Sequence, residues 1–133
     1  MSTLNVSNIT DGTDTVGTSY VVNGSAKAWT NARQSGTQSH RLSLNFSSIT
    51  DEATATTTVT YTSAFANDDY CTTYGIRDGG GENDTRMVVG STTTGYYTTT
   101  SQRVYCGQHG STEGVLTLND ADVLCLCLHG DLA

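Results

Sequence analysis

Proline is absent from this 133-residue chain, lysine occurs once, at Lys27, and charged residues make up only 14% of it. Six Lys and Arg stand against thirteen Asp and Glu, a formal net charge of −7. Nothing in that balance attracts a phosphate backbone, so a nucleic-acid partner is not expected. No apolar run approaches the roughly 20 residues that a membrane-spanning helix needs, so membrane insertion is not expected either. The Glu/Lys/Ala-type runs that favour helices are missing. The opening residues, "MSTLNVSNITDG", have neither the positive region nor the apolar stretch of a signal peptide. The chain is therefore expected to be made and folded in a cytoplasm, where thiols stay reduced.

What the chain does have is threonine, by far its commonest residue, followed by glycine and serine. β-Branched Thr suits a pleated, half-exposed surface, which points to an all-β protein with a neutral, hydroxyl-rich exterior. The length is one domain's worth, with room for a short arm. Short strands alternate with turn signals. Asn23-Gly24, between Tyr20–Val22 and "AKAWTNA", reads as a tight hairpin. "HRLSLNF" reads as one half-buried strand with Leu42, Leu44 and Phe46 facing in and Arg41, Ser43 and Asn45 facing out. "TTTVTYT" repeats the pattern with Thr57, Val59 and Tyr61. Eight to ten such strands predict an antiparallel β-sandwich of jelly-roll type.

The segment "DVLCLCLHG" near the C-terminus is apolar on both faces. Alternation puts Val123, Cys125, Cys127 and His129 on one side and Leu124, Leu126 and Leu128 on the other. Such a strand is either buried or covered by a partner chain. With Cys106-x-x-His109, this segment supplies enough ligands for tetrahedral zinc. Its place on a core strand, and the lack of a knuckle turn at Cys106, favour small buried hydrophobes and no metal. Cys125 and Cys127 stand about 7 Å apart along a strand, too far for an easy disulfide. Cys71 and Cys106, each following a Tyr, are candidate cross-strand neighbours. The loop "RDGGGENDT", with Asp78, Glu82 and Asp84, lacks the ordered ligand pattern of a calcium loop. Trp29, the only tryptophan, is a candidate core or intersubunit anchor. Adjacent Tyr96 and Tyr97 must point to opposite faces, so at least one is expected to be exposed, as a receptor contact. No Ser-His-Asp or paired-carboxylate arrangement emerges, and no cofactor or enzymatic activity is expected.

One longer stretch carries a resemblance. Asn23 to Trp29 with Asn31, the turn Ser47 to Asp51, and the run Thr58 to Tyr70 together resemble a domain common at the ends of tail-fibre and other virion proteins of bacteriophages, particularly marine and cyanobacterial ones. The preceding "STLNVSNITDGT" resembles the short arm that often comes before it. The likeness covers residues 2–70; residues 71–128 match only in general strand pattern. It implies a non-enzymatic virion structural protein on the particle surface, a short fibre, knob or capsid decoration protein, assembled as a homotrimer. Residues 1–22 are then a virion-attachment arm and 23–133 the sandwich. The arm is polar, with Leu4, Val6 and Ile9 as hydrophobic anchors for other virion proteins. Trp29, Val123, Cys125, Leu126 and Cys127 are expected in the core or subunit interface, and Tyr96 and Tyr97 against a host surface glycan. A carbohydrate-binding β-sandwich module is the alternative.

Overall fold

A computed structural model describes residues 2–77, 86–91, 93–109 and 116–133. The chain opens with a small hairpin, β1 (Asn8–Thr10) and β2 (Thr15–Gly17), and a short helix, α1 (Thr18–Gly24). The strands β3 (Ala28–Arg33), β4 (Ser39–Leu44), β5 (Phe46–Ala53), β6 (Thr56–Tyr61) and β7 (Cys71–Arg77) follow. The last are β8 (Arg86–Gly90), β9 (Ser101–His109), β10 (Leu116–Leu118) and β11 (Val123–His129). The expected all-β antiparallel sandwich is what forms. No described helix is long and apolar enough to cross a membrane.

One sheet runs β4-β3-β11-β7; the other has β9 paired with β6 and then β5 on one side and with β8 on the other. β10 pairs with the far end of β9, beyond the residues that β6 reaches. The strand order refines the jelly-roll expectation. Followed from β5, the pairings β5-β6-β9-β8 and β7-β11-β3 reproduce an ABED/CFG Greek-key sandwich, with β3 entering the last position from the N-terminal side.

The core lies between the sheets. Ala28, Thr30 and Ala32 of β3 lie opposite Leu128, Leu126 and Leu124 of β11, and all six are buried. From the other sheet come Thr57, Val59 and Tyr61 of β6 and Gln102, Val104 and Cys106 of β9. At one end Phe46, Tyr61, Phe65, Tyr70 and Tyr97 form a ring cluster with centroid separations of 4.4 to 5.7 Å. At the other, buried amides join the sheets. Gln34 Nε2 donates to Thr57 Oγ1 at 2.9 Å, and the Ala121 N–H donates to Gln34 Oε1 at 2.8 Å. Each keeps a polar group satisfied where water cannot reach it.

Two expected elements fold differently. "HRLSLNF" is not one strand. Asn45 takes φ 59°, a left-handed conformation that Asn tolerates, and ends β4 at Leu44. The chain crosses there to the other sheet, so the alternation resets: Phe46 is buried while Leu42 and Leu44 are 65% and 49% exposed. Residues 18–24 are helical, and Asn23-Gly24 closes a helix rather than a hairpin. The Ser25 N–H donates to Val21 O at 3.1 Å and its hydroxyl to Val22 O, which Lys27 Nζ also meets. The last carbonyls are thereby satisfied, and a cation sits at the negative end of the helix.

Candidate functional site

The outer face of the four-stranded sheet is built by strand pairing. Leu44, Trp29, Cys127 and Thr73 lie side by side across β4, β3, β11 and β7, and Leu42, Asn31, Cys125 and Gly75 form the next row. These rows hold no charged side chain. Trp29, Cys125 and Cys127 are half-buried and Leu42 and Leu44 exposed. Their aliphatic, indole and thiol surfaces form one contiguous apolar patch, a recognised mark of an interaction surface.

The expected interface residues therefore divide. Leu126, 2% exposed, and Val123, 7% exposed, are buried in the chain's own fold. Trp29, Cys125 and Cys127 are half-buried on the outer face, so of the two alternatives expected for β11, burial within the chain holds in full for the leucine side only. The three leucines of β11 fill the sandwich, while both cysteines keep part of their surface exposed on the other side. Cys71 and Cys106 are not neighbours either: Cys71 is exposed on β7, Cys106 fully buried on β9 in the opposite sheet. Both follow a Tyr, but Tyr70 points inward and Tyr105 outward, so the thiols take opposite directions.

Cys127 Sγ lies 3.5 Å from His129 Nε2. Cys125 and Cys127 face outward from one sheet and Cys106 inward from the other, so they do not converge. Among the described residues no group of three His, Cys, Asp or Glu side chains is placed to hold a metal. The His109 side chain and the loop residues Asp78, Glu82 and Asp84 lie outside the described residues.

The tyrosine pair separates as alternation requires. Tyr96 lies under the Arg103 guanidinium, 3.7 Å from the ring centroid, while Arg103 Nη2 also binds Glu52 Oε1 at 2.8 Å. A hydrogen bond with Thr58, then the charge of Arg103, holds the Glu52 carboxyl below its ordinary range. Tyr96 is thus engaged by the protein itself. Tyr97 turns the other way and stacks on Tyr70 with centroids 4.5 Å apart and planes 18° apart.

Tyr97 lines a cleft of about 860 Å³ together with Tyr74 of β7, Gly90 and Ser91 at the end of β8, Asp68, and threonines of the segment before β9. A hydrogen-bond network fixes this wall. Tyr97 Oη donates to Tyr70 O at 2.6 Å, Tyr70 Oη to Thr98 O at 3.0 Å, and Tyr61 Oη to Tyr70 Oη at 2.9 Å. Thr72 Oγ1 donates to the buried Gln102 Oε1 at 3.0 Å. Burial is the largest cause raising the phenol pKa values of Tyr61, Tyr70, Tyr74 and Tyr97, so all four remain proton donors at neutral pH. A Cβ at position 90 would collide with the Tyr74 hydroxyl, so glycine there lets the ring lie across the end of β8. Asp68, Tyr74 and Gly90 gave no sequence signal as site residues, because four separate segments build the cleft.

The N-terminal segment has no core. None of residues 2–24 is buried, and Leu4, Val6 and Ile9 are 83%, 39% and 47% exposed. With Val21 and Val22 they line an apolar depression of about 450 Å³. The hairpin is held by Asp11, whose Oδ1 accepts from the N–H groups of Thr13 and Asp14, and by Gly12 at φ 103°.

No family model, curated protein or solved structure matches this chain.

Proposed function

We propose that this protein is a non-enzymatic structural component of a bacteriophage particle, a short fibre, knob or decoration protein on the virion surface. Copies of the chain associate, as a homotrimer, through the outer face of the β4-β3-β11-β7 sheet. The observation that carries this reading is the uncharged apolar patch of Trp29, Leu42, Leu44, Cys125 and Cys127. Identical copies of a chain with net charge −7 repel one another, so a face on which they meet must keep its centre free of charge. This face does. The sequence resemblance supplies the virion context and the three-fold state.

The arm, with Leu4, Val6 and Ile9 exposed, is the proposed attachment to another capsid or tail protein, its ordering completed on that neighbour. Light scattering of the purified protein is expected to give about three times the 14.0 kDa chain mass. A monomer at every concentration tested overturns the self-association. Deleting residues 2–17 should leave a folded protein that no longer joins particles, and normal incorporation of the truncated chain overturns the role of the arm.

A further inference from the structure

We propose that the cleft between Tyr74, Tyr97 and Asp68 binds an uncharged pyranose saccharide. The inference stands apart from self-association, since the cleft lies at the phenol end of the sandwich and uses none of the residues of the outer apolar patch.

Three observations select the ligand class. The first is size: about 860 Å³ lies within the range of small-ligand sites and accommodates several sugar rings. The second is the lining, which combines two tyrosine rings with threonine and serine hydroxyls, one carboxylate and two glycines, and no aliphatic side chain among the described residues. A purely apolar ligand would leave those hydroxyls without partners. A pyranose presents what they need, a C–H face to lie on an aromatic ring and an equatorial belt of hydroxyls that both donate and accept. The third is charge. The described lining has no Lys, Arg or His, and Asp68 has no hydrogen-bond or ion-pair partner among the described residues. A phosphate, sialate or uronate would meet the Asp68 carboxylate with no cation in the described lining to offset it, whereas a sugar hydroxyl can donate to that carboxylate.

The site is also pre-arranged. Tyr97 is held by its stack on Tyr70 and its bond to Tyr70 O, and Tyr70 reaches across to Thr98 O. Thr98 Oγ1 in turn accepts from the N–H groups of Thr100 and Ser101. A wall fixed before the ligand arrives loses little side-chain freedom on binding.

The test is saturation-transfer NMR with titration, using cellotetraose, maltotetraose, chitotetraose and mannotetraose as uncharged probes and tetragalacturonate as the anionic one. At least one uncharged probe is expected to bind and tetragalacturonate not to. Asp68→Ala, at an exposed side chain with no partner among the described residues, should leave the fold unchanged by circular dichroism and weaken that binding about tenfold. Tyr97→Ala should weaken it more than about tenfold. Absence of binding by all four uncharged probes, preference for tetragalacturonate, or unchanged affinity in a folded Asp68→Ala protein each overturns the proposal.

Discussion

The two outer faces of this sandwich are made by the same strand geometry, yet the rows across β5, β6 and β9 differ in chemistry from those across β4, β3, β11 and β7. Across the five-stranded sheet the rows read Ser48, Thr60, Ser101 and Thr50, Thr58, Arg103, with Arg103 paired to Glu52. Across the four-stranded sheet they read Leu44, Trp29, Cys127, Thr73 and Leu42, Asn31, Cys125, Gly75. Threonine favours a strand through its branched Cβ and keeps its hydroxyl in water, so these first rows are stable against solvent as they stand. Exposed large apolar side chains on that side are confined to Met87 and Val89 of β8 and Leu118 of β10 among the described residues. The second face exposes indole, leucine and thiol surface that gains free energy when covered. Strand formation alone requires no such residues on an outer face. Their concentration in the adjoining rows of one sheet, against the hydroxyl rows of the other, is the difference that the proposed association explains.

The sharpest test sets the two sides of β11 against each other. Leu126→Asp puts an unpaired charge among Thr30, Leu124 and Leu128 and is expected to cost more than about 4 kcal/mol, enough to prevent folding. Cys127→Asp, one residue along but on the outer face, should fold with a loss of less than about 1.5 kcal/mol in urea titration. Equal damage from the two would break the distinction.

Next comes the comparison between sheets. Leu42→Asp with Leu44→Asp should leave the monomer folded and weaken self-association by about a hundredfold or more, read by light scattering. Thr58→Asp with Thr60→Asp on the opposite sheet should leave the oligomer mass unchanged.

Alkaline pH probes the interior that both sheets share. Buried Tyr61 and Tyr70 hold their protons above the ordinary value of 10.0. Their contribution to stability is complete below pH 10 and falls as pH rises further, because the unfolded chain ionises where the folded one does not. The slope reaches about 1.4 kcal/mol per pH unit for each such tyrosine. Phenolate absorbance for these two should appear together with loss of the circular dichroism signal of the fold. Ionisation that precedes unfolding contradicts their burial.

The smallest effect is expected from Cys125→Ala with Cys127→Ala. Half-buried thiols contribute little packing to the monomer, so the pair should cost about 1 kcal/mol or less in thermal unfolding. A larger loss would mean that the outer face matters to the single chain.

Much of the fold was legible because period-two patterns report which side chains share a face. Thr57, Val59 and Tyr61 read correctly, as did the division of β11 into leucine and cysteine sides. Alternation does not say what covers each face, so it left open whether the cysteine side of β11 lies inside the chain or against a partner. It also fails where parity resets. A single left-handed residue, Asn45, reversed the assignment of Leu42 and Leu44, although Asn between two apolar residues is among the few available signals for such a turn. Asn23-Gly24 suits a helix end as well as a hairpin, and hydrogen bonds from Ser25 and Lys27 decide it. The cleft was illegible for a different reason. Asp68, Tyr74, Gly90 and Tyr97 become neighbours only after the chain has crossed between sheets, and no local pattern records that.

The corner at Asn45 has a mechanical consequence. Its side chain accepts from the Ser63 N–H at 2.7 Å and donates to Ser63 O at 3.1 Å, riveting the turn to the end of β6. Leu44 on the outer patch and Phe46 in the aromatic cluster are joined through this one fixed residue. Two peptide bonds therefore separate a side chain of the outer patch from one of the ring cluster, and the turn between them is anchored rather than loose. The position of Leu44 in the patch is thus set by the same asparagine that seats Phe46 in the core.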